Sequence, residues 1–258
     1  MRGNTLFLLA MASMAGFSVQ ANAAIDLGTA KTFAVLAGTT VTNTGATTVT
    51  GNVGLDSGTS ITGTGTVTFT AGTMYTHGDI ALQAKNDLTA AYLVAAGLTP
   101  TTDLTGKDLG GMTLLPGNYS FTSDALLGTT KTLTLDDNGD PNAQFVFQMV
   151  SKFTAESDSK VVTINGGSSP AYNVFWQVGS SATLDTGAAF EGHILALDSI
   201  SLKTGATIIQ GSALARNAAV TLEANTITNT VVPEPTMMSL MLGGALLLTR
   251  RKDQAGRK

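Results

Sequence analysis

Few side chains in this sequence could do covalent chemistry. There is no cysteine and only two histidines, His77 and His193. That removes disulfides, thiolate catalysis and Cys-ligated metal sites, and leaves too few imidazoles for a His-rich centre. A Ser-His-Asp arrangement would need an activated serine beside one of those histidines, and no G-x-S-x-G motif marks one. Polysaccharide hydrolysis or elimination needs paired carboxylates, or a Lys/Arg base with bound calcium, converging on one groove. The carboxylates here are scattered over Asp185, Glu191, Asp198 and Glu223. When the repeating segments that carry them are aligned, Asp185 falls on Lys203 and then on Glu223, so no acidic column builds up. His193 meets no histidine in the next segment and reads as a partly exposed strand residue. The run Asp136-Asp137-Asn138-Gly139-Asp140 is spaced like the start of a calcium loop, but no Glu closes it at the twelfth position. An Asx/Gly turn is the better reading. The chain is expected to be no enzyme and to carry no cofactor or metal.

What remains in quantity is the hydroxyl. The 258 residues include 41 threonines, of which 15 fall within Thr39–Thr76. Charged residues make up only 12% of the chain, and 29 glycines punctuate it. A formal net charge of −4 and a pI near 5.0 argue against a nucleic-acid partner. With 43% hydrophobic residues the chain can bury one sizeable core, so one main domain is expected.

These hydroxyls sit in a repeat. SATLDTGAAFEGHILALD from Ser181 aligns with SISLKTGATIIQGSALAR from Ser199. Leu184 falls on Leu202, Thr186-Gly187-Ala188 on Thr204-Gly205-Ala206, and Phe190 on Ile208. Ile194-Leu195-Ala196 falls on Ala213-Leu214-Ala215 after one inserted residue. A third, degenerate row puts Leu222 20 positions beyond Leu202, and near the N-terminus Val41 matches Ile61 at the same spacing. Self-similarity at about 20 residues with short β-type runs is the mark of a solenoid whose coils stack their strands. Leu184/Leu202 and Phe190/Ile208 are then inward columns, and Thr186/Thr204 an outward one.

Other elements complete the stack. Phe33–Ala37 is a short apolar strand, and alternation in Thr66-Val67-Thr68-Phe69-Thr70 puts Val67 and Phe69 on one face and the threonines on the other. Lys131–Leu135, Ala143–Gln148, Val161–Ile164 and Tyr172–Val178 read as further strands. One long helix is expected over about residues 79–96. Asp79 could cap its start, Ile80, Ala84, Leu88, Ala91, Tyr92 and Ala95 form an apolar stripe, and Gly97 and Pro100 end it. Such a helix should cover an apolar flank of the solenoid, and with Lys85 its only basic residue it is a poor membrane-surface helix.

The two ends read as addresses. Residues 1–23 carry Arg2, an apolar run from Leu6 to Phe17 and Ala21-Asn22-Ala23, the pattern of a secretory signal peptide. Residues 232–258 carry Val232-Pro233-Glu234-Pro235, the apolar Met237–Leu248 and Arg250-Arg251-Lys252. That apolar run is short of the roughly 20 residues that span a bilayer, and its basic flank would stay cytoplasmic. The three-part tail resembles the PEP-CTERM sorting signal of Gram-negative bacteria. The resemblance implies transient inner-membrane retention, cleavage by a sorting peptidase and release to the exterior or its polysaccharide matrix; a lasting anchor is the alternative. The domain between, residues 24–231, is acidic and expected to be secreted and monomeric.

In a β-solenoid, equivalent residues of successive coils lie about 4.8 Å apart and alternate residues of one strand about 6.7 Å apart. Threonines at equivalent positions form a neutral grid of hydroxyls and methyls that can hold waters at fixed spacing. Ice recognition asks for such a surface; a merely soluble adhesin or matrix protein, binding exopolysaccharide or cells, would also carry one. FAVLAGTTVTNTGATTVTGNVGL (Phe33–Leu55), DLGGMTLLPGNYSF (Asp108–Phe121), PNAQFVFQMVS (Pro141–Ser151), NVFWQVGSSATLDTGAAFEGHILA (Asn173–Ala196) and SISLKTGATIIQGSALAR (Ser199–Arg216) resemble, in order, the microbial ice-binding (antifreeze) protein family. The resemblance implies a right-handed, discontinuous β-solenoid of triangular cross-section with the helix alongside. Early and late segments would both contribute coils, and ice is the implied partner, bound through T-(A/G)-x-(T/N) motifs on a flat face. That motif stands at Thr44–Thr47, Thr70–Thr73 and Thr204–Thr207. It is broken at Thr186-Gly187-Ala188-Ala189 and departs again at Thr64-Gly65-Thr66-Val67. The implied ice-binding residues are Thr44, Thr47, Thr64, Thr70, Thr73, Thr186, Thr204 and Thr207, and the implied action is inhibition of ice growth and recrystallisation.

Overall fold

The computed structural model describes residues 24–166 and 173–229; the expected signal peptide and sorting tail lie outside them. The described chain is mainly β, with every strand pairing parallel to its neighbours. Three ladders of short strands run through it.

The first ladder, read from one end, is Met74–Tyr75, Asn52–Leu55, Phe33–Ala37, the latter parts of Thr207–Ala215 and Ala189–Ala196, Val174–Val178, Phe145–Met149, Gly117–Phe121 and Thr102–Asp103. The second is Ser60–Thr62, Thr40–Thr44, Val220–Glu223, Ile200–Leu202, Ala182–Leu184, Phe153–Ala155 and Ala125–Leu127. The third is Val67–Ala71, Thr47–Thr50, Thr226–Thr228, the early parts of Thr207–Ala215 and Ala189–Ala196, Lys160–Ile164, Thr132–Asp136 and Thr113–Leu114. The two long strands turn from the third ladder into the first without breaking. The turn demands glycine: a Cβ on Gly211 would sit 1.8 Å from the Gly192 carbonyl oxygen. The residue inserted in the second repeat is accommodated there, where the register shifts between Glu191 and His193 and Gln210 takes φ +49°.

The expected columns are present. Leu184 pairs with Leu202 and Leu202 with Leu222, Phe190 with Ile208, and Val41 with Ile61. The N-terminal strands stack on the last ones, Val35 against Ala213, Val41 against Val220 and Thr48 against Thr226. Inward residues of all three ladders form one core. Its largest members are stacked by register, Tyr119 on Phe147 and Phe147 on Trp176 with ring centroids 3.9 Å apart in the latter pair. Each such side chain removed from water contributes roughly 1.5–3 kcal/mol before entropy is counted.

The helix spans Asp79–Gly97. At about 1.5 Å per residue it is some 28 Å long, close to six strand spacings, and it carries the chain from the Met74–Tyr75 end back to the Thr102–Asp103 end. Its Ala84, Leu88, Ala91, Tyr92 and Ala95 pack on Val146, Phe175, Leu195, Leu214 and Leu36 of the first ladder. Two details differ from the sequence expectation. Gly78 holds the N-cap position without a side-chain cap, leaving Asp79 in the first turn. Ile80 is 47% exposed, and the buried stripe runs instead through Ala81 and Lys85. Lys85 is drawn inward because its Nζ donates to the carbonyls of Ala215, at 2.6 Å, and Arg216. Burial, together with the nearby Arg216 charge, pulls its pKa down to about 8.

His193 also differs. It lies outward on the first ladder, which the helix covers, and is buried rather than partly exposed. Its Nδ1 is 2.7 Å from the Ser212 hydroxyl, its ring stacks on Phe175, and burial pushes its pKa down to about 4.

Candidate functional site

Several of the groups that could do covalent chemistry are held in structural bonds. Asp136 accepts from Asn138 N–H and Asp140 from Asn142 N–H, both two residues on, the hydrogen bonds of Asx turns. Glu191 accepts from the amide and hydroxyl of Thr163, both at 2.8 Å, while burial raises its pKa. Lys203 pairs with Glu223 at 3.3 Å, as their alignment in the repeat anticipates.

The hydroxyls, by contrast, are gathered by register. Strands of the second ladder are short; Phe153–Ala155, Ala182–Leu184 and Ile200–Leu202 each direct their end residues inward and their middle residue outward, whereas Ser60–Thr62 turns Ile61 inward and Ser60 and Thr62 outward. The outward residues pair in one continuous file: Thr154, Thr183, Ser201, Thr221, Thr42 and Thr62. Leu126 continues it at the far end. No register shift interrupts these pairings, so neighbouring hydroxyls stand one strand spacing apart, about 4.8 Å. Five of the six are half-buried among their neighbours, and Thr62, on the terminal strand, is exposed. Beside Thr42, Thr40 is matched by Ser60.

Third-ladder hydroxyls form two columns at one end. Thr207, Thr226, Thr48 and Thr68 pair in sequence. Ile209, Thr228 and Thr50 form the next column, and the Thr50 hydroxyl is bonded to that of Thr70. Towards the other end the same columns pass through Ala189 and Lys160, and through Glu191.

The eight threonines singled out by the motif do not share one plane. Thr44, Thr64, Thr186 and Thr204 are exposed at the turns between the second and third ladders, where Gly45, Gly187 and Gly205 take positive φ. Thr70 and Thr207 lie on the third ladder, and Thr73 is exposed at the turn beyond it. Thr47 points inward at 1% exposure, donating to Asn43 Oδ1 at 2.6 Å and accepting from Asn225 N–H. A surface partner cannot reach it. Its motif looks like that of Thr204–Thr207, but the pairing sets Thr48, not Thr47, in the column of Thr207. Buried Asn43 and Asn225 tie these turns: Asn43 Nδ2 donates to the carbonyls of Gly45 and Gly63, and Asn225 Nδ2 to those of Lys203 and Ala206.

The second-ladder file lies outside the T-(A/G)-x-(T/N) motifs. Its signal is a hydroxyl after one apolar residue and before another, as in Phe153-Thr154-Ala155, Ala182-Thr183-Leu184, Ile200-Ser201-Leu202 and Val220-Thr221-Leu222.

Residues 35–228 match the family model described as Ice-binding-like. An ice-binding protein of Nostoc sp. (strain HG1) is 48% identical over 251 residues, covering 93% of this chain and 91% of the relative. One from Colwellia sp. is 35% identical, covering 79% and 83%. The crystal structure of an ice-binding protein from the Antarctic ascomycete Antarctomyces psychrotrophicus superposes with a TM-score of 0.75 at 38% identity, over 81% of this chain and all of that one. An ice-binding protein from an Antarctic biological consortium gives 0.74 at 42% identity, over 86% and 95%.

Proposed function

The chain belongs to the Ice-binding-like family, and from that premise we propose that it adsorbs to ice through the outward face of the second ladder. The observation that carries this reading is the unbroken file of six hydroxyl side chains from Thr154 to Thr62. Each hydroxyl can anchor a water, and the methyls beside it limit the other orientations that water can take. A surface repeating every strand spacing holds such waters in a row before ice is met, so little ordering remains to be done on contact. Growth is then arrested where molecules sit, which slows recrystallisation. No bond is made or broken.

In this reading the three ladders close into a right-handed solenoid of triangular cross-section, the sense that parallel crossovers favour. The helix occupies one side and leaves two open. The turn threonines Thr44, Thr64, Thr186 and Thr204 border the docking face, while Thr73 lies at a remote turn. Export follows from the signal-peptide pattern of residues 1–23, and the Pro-Glu-Pro tail would hold the chain at the inner membrane until a sorting peptidase releases it to the exterior. Ice is the partner there.

The test is a recrystallisation assay on the purified protein and its Thr221→Tyr variant. A phenol in the middle of the file lifts the face off the crystal. The wild type should keep grains small, and the variant should need a several-fold higher concentration to do so. Grains that coarsen with wild type as in buffer would overturn the reading.

A further inference from the structure

The third ladder carries a second hydroxyl surface, distinct from the second-ladder file. Near its Val67–Ala71 end, Thr226, Thr48 and Thr68 stand in one column. Thr228 and Thr50 stand in the next, and Thr70 joins them through its hydrogen bond to Thr50. Ile227, Val49 and Phe69 lie between the two columns and point to the core, so both threonines of each strand face outward. The segments Thr226–Thr228, Thr47–Thr50 and Val67–Ala71 contain no charged residue. Farther along the same ladder, Lys160 and Glu191 bring charge into both columns.

We propose that these six threonines form a second ice-docking plane, so that one molecule adsorbs to two differently oriented ice surfaces. The inference rests on the reading that the chain binds ice. The threonines do not by themselves name the ligand; the family does, and its model spans all six of them. The two surfaces also differ in lattice. The second ladder is a single file over Thr154, Thr183 and Ser201, whose three-residue strands have one outward residue each, and Thr40 and Ser60 widen it at its Ser60–Thr62 end. The third-ladder patch is two columns wide, with hydroxyls about 4.8 Å apart along the Thr226, Thr48 and Thr68 column and about 6.7 Å apart along a strand; in the other column a register shift between Val49 and Thr50 draws the Thr50 and Thr70 hydroxyls into direct contact. Surfaces on two sides of a closed solenoid do not lie in one plane, and their different repeats match different arrays of water. Ile209, 47% exposed beside Thr228, ends the patch with an apolar side chain before the charged stretch begins.

The test is ice-plane affinity. Fluorescently labelled protein is adsorbed to a single-crystal ice hemisphere, and the stained planes are mapped for wild type, Thr48→Tyr, Thr226→Tyr and Thr221→Tyr. Unchanged melting temperatures check that each variant is folded, and the first two are independent probes of one patch. The wild type should stain two sets of planes. Thr48→Tyr and Thr226→Tyr should each lose one set and keep the other, and Thr221→Tyr should show the reverse. A pattern from Thr48→Tyr and Thr226→Tyr identical to wild type overturns the second plane and leaves the second-ladder reading standing. Loss of all staining in Thr221→Tyr alone does the same. A wild type that leaves the hemisphere dark overturns both.

Discussion

The first and second ladders repeat the same parallel pairing, yet their outward side chains differ: the first ladder's are apolar residues interspersed with glutamines that bond the helix, and the second's are mostly hydroxyls. On the first ladder Val146, Phe175, Leu195, Leu214 and Leu36 face out, and the Asp79–Gly97 helix buries them. On the second, Thr154, Thr183, Ser201, Thr221, Thr42 and Thr62 face out, and no described element covers them. Inward residues are alike, so the core does not distinguish the two. What lies on the outside of each strand decides whether a ladder recruits the protein's own helix or stays open to something else. A helix removes apolar area from water and is driven by it; a hydroxyl file offers little such area and keeps its water.

Exchanging outward residues should break this division, with the largest effect on the covered side. Phe175→Thr deletes a buried ring beneath the helix and puts a hydroxyl in its place. It should cost about 3–5 kcal/mol, a fall in melting temperature of roughly 10 °C for a domain of this size, read by calorimetry.

A smaller effect separates the ladders by pH. His193 belongs to the covered ladder, and burial holds its pKa near 4. The unfolded chain takes up that proton near 6.5, whereas the folded chain does not until about 4. Stability is therefore whole above about pH 6.5 and falls as pH drops from there to about 4, by up to about 3 kcal/mol. Urea unfolding at pH 7 and pH 4.5 should show this loss in wild type and a shallower one in His193→Gln, the remainder coming from carboxylates.

The smallest stability effect belongs to the open side. Thr221→Val keeps the shape and removes one hydroxyl from the file; its cost should stay within about 0.5 kcal/mol, and thermal unfolding should hardly move. Recrystallisation inhibition should weaken nonetheless, because a methyl in that place anchors no water.

Much of the stack was legible as period. Leu184, Leu202 and Leu222, Phe190 with Ile208, and Val41 with Ile61 recur about every 20 residues because each coil must return an apolar side chain to the same core column. The helix was legible because its stripe is local. What failed depended on contacts distant in sequence. His193 looked like a surface residue because its ring packs on Phe175 and bonds Ser212 of neighbouring strands, on a face that segments distant in sequence cover. Thr47 matched the motif letter by letter, but its turn holds one residue more than that before Thr226, and only the pairing of Thr48 with Thr226 reveals the offset. Ile80 fitted the apolar spacing, but docking against Ala215 and Arg216 set the helix so that Lys85 faced inward. The second-ladder file escaped notice because its hydroxyls are spaced unevenly in sequence and become a file only through pairing across the chain's two halves.

The most direct test of the open ladders is ice-affinity partition, in which a slowly growing ice front is fed a solution of the purified protein. Wild type should concentrate in the ice, whereas Thr221→Tyr/Thr48→Tyr, folded and melting at the same temperature, should stay in the liquid. Equal partition of the two proteins would contradict the account, as would a wild type left behind in the liquid.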